Sequence, residues 1–472
     1  MRISRSPWRL RFSTGYALVI GAVVPVLVFL FLDTRHQRWA IWVVAVAAVL
    51  ALVTFRGRRL TGWVRTLFGW IWRRRRPPES PSLSAVGATA MPGDRVAVRW
   101  QGENLVALIE LLPRPFTPTV IVDGQARCED VLDTAMLEQL LAVHCPDLEA
   151  DVVSAGYRIG FTAAGDVVNM YESAVGSDPA PAYRRTWVLM RADPLRTRRS
   201  AQRRDVGAAG LARYLVASTT RIADRLAGCG IDARCCAGFD SFDAATVIRF
   251  ERENWSRLRG ADSVTAAYTA AGGPDVWWSA PADHTITRIQ VGVGAAPRST
   301  VLLTTAAKQR KPRGFAPVSG AQRAALEGQD LVTDRHWPVP IGSAGILVGE
   351  TADRLRVYLP FDAADSCVVV GDAQNPAWFA VRAAAAGGRV TLEPPLGALA
   401  ELIGADIGRV SQVVWPQATT YLGGQPGVGR VVLRDTLIAT PRHQGLAVRP
   451  VFLAGEDRYE EALMRQQSTA PF

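Results

Sequence analysis

Five histidines, six cysteines and three spaced pairs of aspartates bound the chemistry open to this chain. His144-Cys145 with Cys128 offers zinc donors, yet the spacing matches no known ligand set and no fourth ligand is evident. Asp130/Asp133, Asp240/Asp243 and Asp362/Asp365 are each three apart, but every pair falls at an expected helix start or turn, where carboxylates cap free N–H groups. The adjacent Cys235-Cys236 is either redox-active or a pair of small buried side chains. A Walker A loop needs Gly-Lys-Ser/Thr, and the only lysines, Lys308 and Lys311, follow Ala307 and Arg310. "GGQPGVGR" (423–430) lies between two strand-like segments and reads as a hairpin turn, because a dinucleotide cradle must open a helix. "VVVGDAQNPAWFAVRAA" is strand-turn-helix without GxGxxG, so Asp372 or Asn375 is read as the helix cap. "IGSAG" lacks the first glycine of a nucleophile elbow, and neither HExxH nor Asp-x-Asp occurs. The sequence therefore nominates no catalytic residue, no metal and no cofactor.

The elements around these residues are mixed. "DRVAVRWQGENLVALIEL" alternates about "QGEN" as a hairpin, and "VLDTAMLEQLLAVH" has helical spacing. "ADVVSAGYRIGF" and "RTWVLMRAD" read as strands, and "LRTRRSAQRR" (195–204) as a solvated loop or acidic docking site before a long helix at 206–227. Strands are expected at "PDVWWSA", "TITRIQVGV" and "STVLLTTA", followed by a loop-rich stretch. "AGILVGE", "RVYLP", "SCVVVGD", a helix through "PAWFAVRAAAAGG" ended by Gly387, and "RVTLEPP" come next. A short helix "LGALAELIGA" and strands at "QVVWP" and "GRVVLRDTLIAT" close the series. This pattern predicts an α/β or α+β cytosolic region over 94–454, either one domain or a degenerate duplication with subdomains 94–260 and 270–454. A Pro/Ser/Ala linker (77–93) precedes it and a polar tail (455–472), expected to be flexible, follows.

Charge separates the start of the chain from the rest. Residues 1–76 hold fourteen arginines, no lysine and one acid, Asp33, while the remaining 396 residues carry 40 basic and 42 acidic groups. A near-neutral bulk lacks the electrostatic footprint of a nucleic-acid binder, so no nucleic-acid partner is expected. Cysteines without CxxC in a chain of 472 residues fit a reducing compartment better than a disulfide scaffold.

Two apolar runs interrupt the arginines. Residues 13–32 contain no charge and twelve Leu, Ile, Val or Phe, each contributing about −0.3 to −0.6 kcal/mol to insertion near a bilayer centre. Residues 39–55 continue for seventeen more. At roughly 1.5 Å per residue both match the hydrocarbon core, and the joining residues 33–38 force an antiparallel transmembrane hairpin over 13–55. A signal peptide would have a shorter apolar stretch and a small-residue cleavage site. Arginines flank the outer ends (1–12 and 56–76), whereas the loop has only Arg35 and Arg38 against Asp33, so both termini are expected in the cytoplasm. In "RGRRLTGWVRTLFGWIWRRRRPP" (56–78), Leu60, Trp63, Val64, Leu67, Phe68 and Ile71 form one helical stripe flanked by Trp70 and Trp72. A juxtamembrane amphipathic helix over 56–76 is expected, with Trp63, Leu67, Trp70 and Trp72 toward acyl chains. Arg65, Arg73, Arg74, Arg75 and Arg76 would then meet anionic headgroups. The alternative is a cytosolic extension of the second span packed on a partner protein.

With these pieces assembled, the chain resembles the EccE family of the actinobacterial type VII (ESX) secretion machinery. The likeness lies in the arginine-flanked double span with "RRRRPP" and in "VAVRWQGENLVALIELLPRPFTPTVIVDGQ", "VHCPDLEADVVSAGYRIG", "LARYLVASTTRIADRLA", "GGPDVWWSAPADHTITR", "PIGSAGILVGET" and "WPQATTYLG". The resemblance implies a non-catalytic accessory subunit of an inner-membrane complex that exports WxG-type proteins. The partners it implies are EccB, the ATPase EccC, EccD and the mycosin protease. The rival expectation is a membrane-tethered, transferase-like enzyme acting on cell-envelope precursors.

Overall fold

The computed structural model describes residues 96–462 apart from 161–162, 271, 307–311, 329–331, 363–366, 372–374, 423–429, 435–436, 441–444, 450, 452 and 460. In the first part of the chain it describes 8–10, 53–55, 58–59, 64 and 66–71. Six long strands make the centre of the molecule: β1 (Asn104–Leu111), β2 (Glu149–Tyr157), β3 (Tyr183–Ala192), β4 (Val264–Ala270), β5 (His284–Gly292) and β6 (Ala295–Thr305). They pair antiparallel in the order β1-β3-β2-β5-β6-β4. Short strands extend both edges: Val98–Gln101 and Ala233–Cys235 beside β1, and Arg257–Arg259, Arg252–Asn254 and Phe315–Pro317 beyond β4.

The two halves repeat one scheme. In each, an outer strand leads through a helix to an inner strand, and the next strand fills the gap between them. Helix α1 (Thr134–His144) joins β1 to β2, and α4 (Pro274–Trp278) joins β4 to β5. The inner strands β2 and β5 then pair across the centre, with Ser154 opposite Thr287. The segments on either side of residues 260–270 thus belong to one sheet.

Alternation along the strands sends odd residues of β1 to one face and even residues to the other, and both faces are covered. Leu105, Ala107, Ile109 and Leu111 pack with α1 and the long α3 (Gly207–Gly228), which contributes Leu211, Leu215, Ile222 and Leu226. Val106 and Leu108 face Trp187, Phe239, Phe242 and the short α5 (Gln322–Leu326). A third apolar cluster joins α2 (Gly165–Val175) to α6 (Asn375–Ala385) and two smaller sheets. One sheet runs Ile346–Glu350, Arg356–Leu359, Thr119–Val122, Gln125–Arg127. The other is mixed, with Cys367–Gly371 parallel to both Thr419–Leu422 and Arg430–Arg434. Gly160 meets this layer where its amide donates to the Ala385 carbonyl; a Cβ there would lie 2.1 Å from the Gly387 Cα.

The described part is therefore a mixed, sheet-rich α and β domain. Two local expectations change. "PDVWW" is helical rather than a strand, because Pro274 sits at the start of the helix, where its missing N–H costs nothing, and Trp277 and Trp278 both turn inward. "RRSAQ" within 195–204 is a short helix, Arg198–Gln202, rather than a loop.

No helix among the described residues is long and apolar enough to cross a membrane. The runs 13–32 and 39–52 lie outside the described residues. Val53–Phe55 pairs antiparallel with Trp8–Leu10, and Arg58–Arg59 with Thr54–Phe55, so the end of the expected second span and the start of the expected 56–76 helix are strands instead.

Candidate membrane-proximal site

Residues 64 and 66–71 are helical and rest on the hairpin Arg252–Arg259. The contact is aromatic: the Trp70 ring stands edge-on to Trp255, with centroids 5.4 Å apart and planes at 85°. Gly320 forms the floor. Its amide donates to the Trp255 carbonyl at 2.6 Å, its φ is +76°, and a Cβ there would come within 2.5 Å of the Trp255 ring and 2.7 Å of Thr66 Cγ2. Only glycine combines that backbone conformation with so close an approach.

With Trp70 turned to the domain, the other side of the helix is left open. Val64 is 39% exposed, Leu67 42%, Phe68 68% and Ile71 39%. Their spacing of i, i+3, i+4 and i+7 makes one continuous apolar stripe, a feature that marks an interaction surface when it is not covered. Of the residues the sequence nominates for anchoring, the structure thus places Leu67 on the open stripe and, against expectation, Trp70 toward the sheet-rich domain. Trp63, Arg65, Trp72, Arg73, Arg74, Arg75 and Arg76 lie outside the described residues. Sequence reasoning missed Trp255 and Gly320, which sit almost two hundred residues or more downstream and carry no local signal of this contact.

Three of the aspartates considered for chemistry, Asp130, Asp133 and Asp243, have structural partners instead. Asp133 caps α1, accepting from the Ala135 amide at 2.8 Å. Asp130 accepts the Arg114 amide at 2.9 Å and pairs with its guanidinium. Asp243 pairs with Arg99 at 2.6 Å, and Asp240 lies in the first turn of the helix Asp240–Thr246. Asp365 and Asp372 lie outside the described residues, and α6 begins at Asn375.

Asp362 is buried and accepts from the Ser343 hydroxyl at 2.5 Å; Ser343 in turn accepts from the Arg184 amide at 2.8 Å. Burial pushes the Asp362 carboxyl up to about 6, against the opposing pull of Ser343, Arg184 and Arg185. This seam joins β3 to the third layer. Ser343 donates to the Asp362 carboxylate and to the Arg184 carbonyl, so this arrangement ties the layers together.

Glu110 is held below the usual carboxylate range. Burial alone would raise it, but the guanidinium groups of Arg185 and Arg234 outweigh that. Cys145 is buried at the end of α1, and burial pushes its thiol up to about 12, which makes it a poor thiolate ligand. Cys235 and Cys236 are free thiols, and burial raises both. Among the described residues, no three His, Cys, Asp or Glu side chains are grouped to hold a metal ion.

The EccE family model, whose description refers to the type VII ESX secretion system translocon, matches residues 180–270, the stretch from β3 to β4. "ESX-1 secretion system protein EccE1" of Mycobacterium tuberculosis (strain CDC 1551 / Oshkosh) is 61% identical over 459 residues, covering 97% of this chain and 99% of the relative. The protein of the same name from Mycolicibacterium smegmatis is 54% identical over 453 residues, 96% and 98% of the two chains. "ESX-2 secretion system protein EccE2" of Mycobacterium tuberculosis is more distant, 25% identical over 69% of this chain.

Proposed function

The chain belongs to the EccE family of ESX secretion-system proteins, and from that premise we propose that it is a non-catalytic accessory subunit of an inner-membrane type VII secretion complex. The observation that carries the reading is identity of 61% across 97% of the chain, which includes most of the arginine-rich N-terminal segment as well as the domain. Residues 13–32 and 39–52 form a transmembrane hairpin with both termini in the cytoplasm. The antiparallel pairing of Trp8–Leu10 with Val53–Phe55 supports this, since it brings together the two ends that a hairpin must return to one side of the bilayer.

The helix around residues 64–71 lies in the headgroup plane. Trp63, Leu67 and Trp72 face the acyl chains with Val64, Phe68 and Ile71, and Trp70 joins the helix to the domain. Arg65 and Arg73 to Arg76 engage anionic lipid, each contributing about 1 kcal/mol at such a surface. Asp130, Asp133, Asp243 and Asp362 are occupied in capping, ion pairing or hydrogen bonding and Cys145 is buried in the core, which supports a scaffold over an enzyme. Energy for export comes from the partner ATPase EccC, and EccB, EccD and the mycosin protease complete the assembly that moves WxG-type substrates.

Co-purification tests the reading. Extracted from native membranes in mild detergent, the chain is expected in a large assembly with other secretion components. A small species free of them, active on an envelope precursor, would instead favour an enzyme.

A further inference from the structure

We propose that the hairpin arginines Arg252, Arg257 and Arg259, with the trough that Arg257 borders, bind the headgroup of an anionic phospholipid; this rests on the reading that the N-terminal segment lies in the bilayer. In the hairpin Arg252–Asn254/Arg257–Arg259, Arg252 stands opposite Arg259 and Asn254 opposite Arg257. Strand alternation puts Arg252, Arg257 and Arg259 on one face, while Glu253 and Leu258 are buried on the other, toward α5. Like charges directly opposite one another weaken a strand pair unless an anion lies between them. Among the described residues no carboxylate pairs with any of these three arginines.

The arginine face continues across the sheet. Arg259 is opposite Val264, and Val264 is opposite Thr305. There a trough of about 150 Å³ opens, lined by Ser256 and Arg257 at the rim and by Val264, Tyr268, Leu303 and Pro317. Val264, Ala266, Leu303 and Pro317 give it apolar walls and Arg257 a cation, which suits a phosphate joined to hydrocarbon better than a free inorganic anion. Arginine's planar fork matches phosphate oxygens bidentately.

Position identifies the source of that ligand. Ser256 and Arg257 directly follow Trp255, whose ring holds Trp70. The exposed stripe Val64, Leu67, Phe68 and Ile71 is carried by the helix that Trp255 holds, and Arg252, Arg257 and Arg259 flank Trp255 in its hairpin. A surface that seats the stripe brings headgroups to the trough, and a negatively charged bilayer supplies the charge that the three arginines lack.

Hydrogen exchange on the full chain in nanodiscs tests this, comparing phosphatidylcholine alone with phosphatidylcholine plus phosphatidylglycerol. The expected result is exchange of amides 252–259 slowed about fivefold or more by phosphatidylglycerol. In R257E/R259E that lipid-dependent slowing disappears, while residues 66–71 stay protected in both lipids. Should the charge reversal unfold the hairpin, R257Q/R259Q serves, read by the same loss.

Equal exchange in the two lipids for the wild-type chain, or slowing that survives in the variants, overturns the proposal. So does protection that appears only with co-purified partner subunits, which would mark the trough as a protein-binding site. Failure of the chain to enter nanodiscs at all would instead refute the underlying membrane reading.

Discussion

Trp70 stands edge-on to Trp255, 5.4 Å between ring centroids, and this is the aromatic contact by which the helix of residues 66–71 is fixed to the sheet-rich domain. An edge-to-face pair contributes about 0.5–1.5 kcal/mol beyond area burial. Trp255→Ala is therefore expected to speed hydrogen exchange of residues 66–71 roughly fivefold or more, with little change for β1 to β3, whose cores lie elsewhere. Unchanged exchange at 66–71 would mean that other contacts hold the helix.

Gly320 gives the same contact a steric test. A Cβ at this position has no room between Trp255 and Thr66, and the backbone already sits at φ +76°. Gly320→Ala should cost about 1–3 kcal/mol, visible as a lower midpoint in denaturant and as release of the Trp70–Trp255 contact. A variant as stable as the wild type would show that the helix and hairpin can separate at little cost.

Arg382 and Glu456 are 2% and 3% exposed and paired at 2.7 Å, tying α6 to the end of the chain. The arginine also donates to the carbonyls of Leu347 and Val451. Glu456→Ala leaves a buried guanidinium without its carboxylate and is expected to destabilise the fold by about 3–5 kcal/mol. R382M/E456L, which removes both charges, should cost less than the single change. Chemical denaturation of the two variants decides this, and a costlier double variant would count against it.

Asp362 sets a pH dependence. Burial raises its carboxyl to about 6, above its unfolded value, so between those two values the folded state holds more protons than the unfolded one. Its contribution is fully present below the unfolded pKa of about 3.9 and is lost as pH rises through about 6. The full change is of order 2–3 kcal/mol. Burial also lowers His284, which acts in the opposite direction as pH falls. The informative quantity is therefore the difference between wild type and Asp362→Asn. Relative to the variant, the wild type should gain stability from pH 7 to pH 4, and a constant difference would contradict the assignment.

Much of the secondary structure was legible because alternation and helical spacing are local. The hairpin about Gln101–Asn104, the strands β2, β3, β5 and β6, and the helix ended by Gly387 all follow from such patterns. Pro274–Trp278 was not, since a five-residue apolar segment is too short for periodicity to decide, and proline at a helix start is the better guide. Strand order was not legible either: nothing local says that β2 meets β5 across the centre, or that β3 and β6 fill the gaps beside them. For the site, the stripe Val64, Leu67, Phe68 and Ile71 could be read from its spacing. The seat formed by Trp255 and Gly320 depends on contacts between residues far apart in the chain, for which a single sequence carries no local pattern.

Alkaline carbonate extraction of native membranes tests the central claim most directly, because it strips proteins held by charge or by partners and leaves those whose chain lies in hydrocarbon. With residues 13–32 and 39–52 in hydrocarbon, the full chain is expected to stay in the membrane pellet. Recovery of the chain in the supernatant would contradict it.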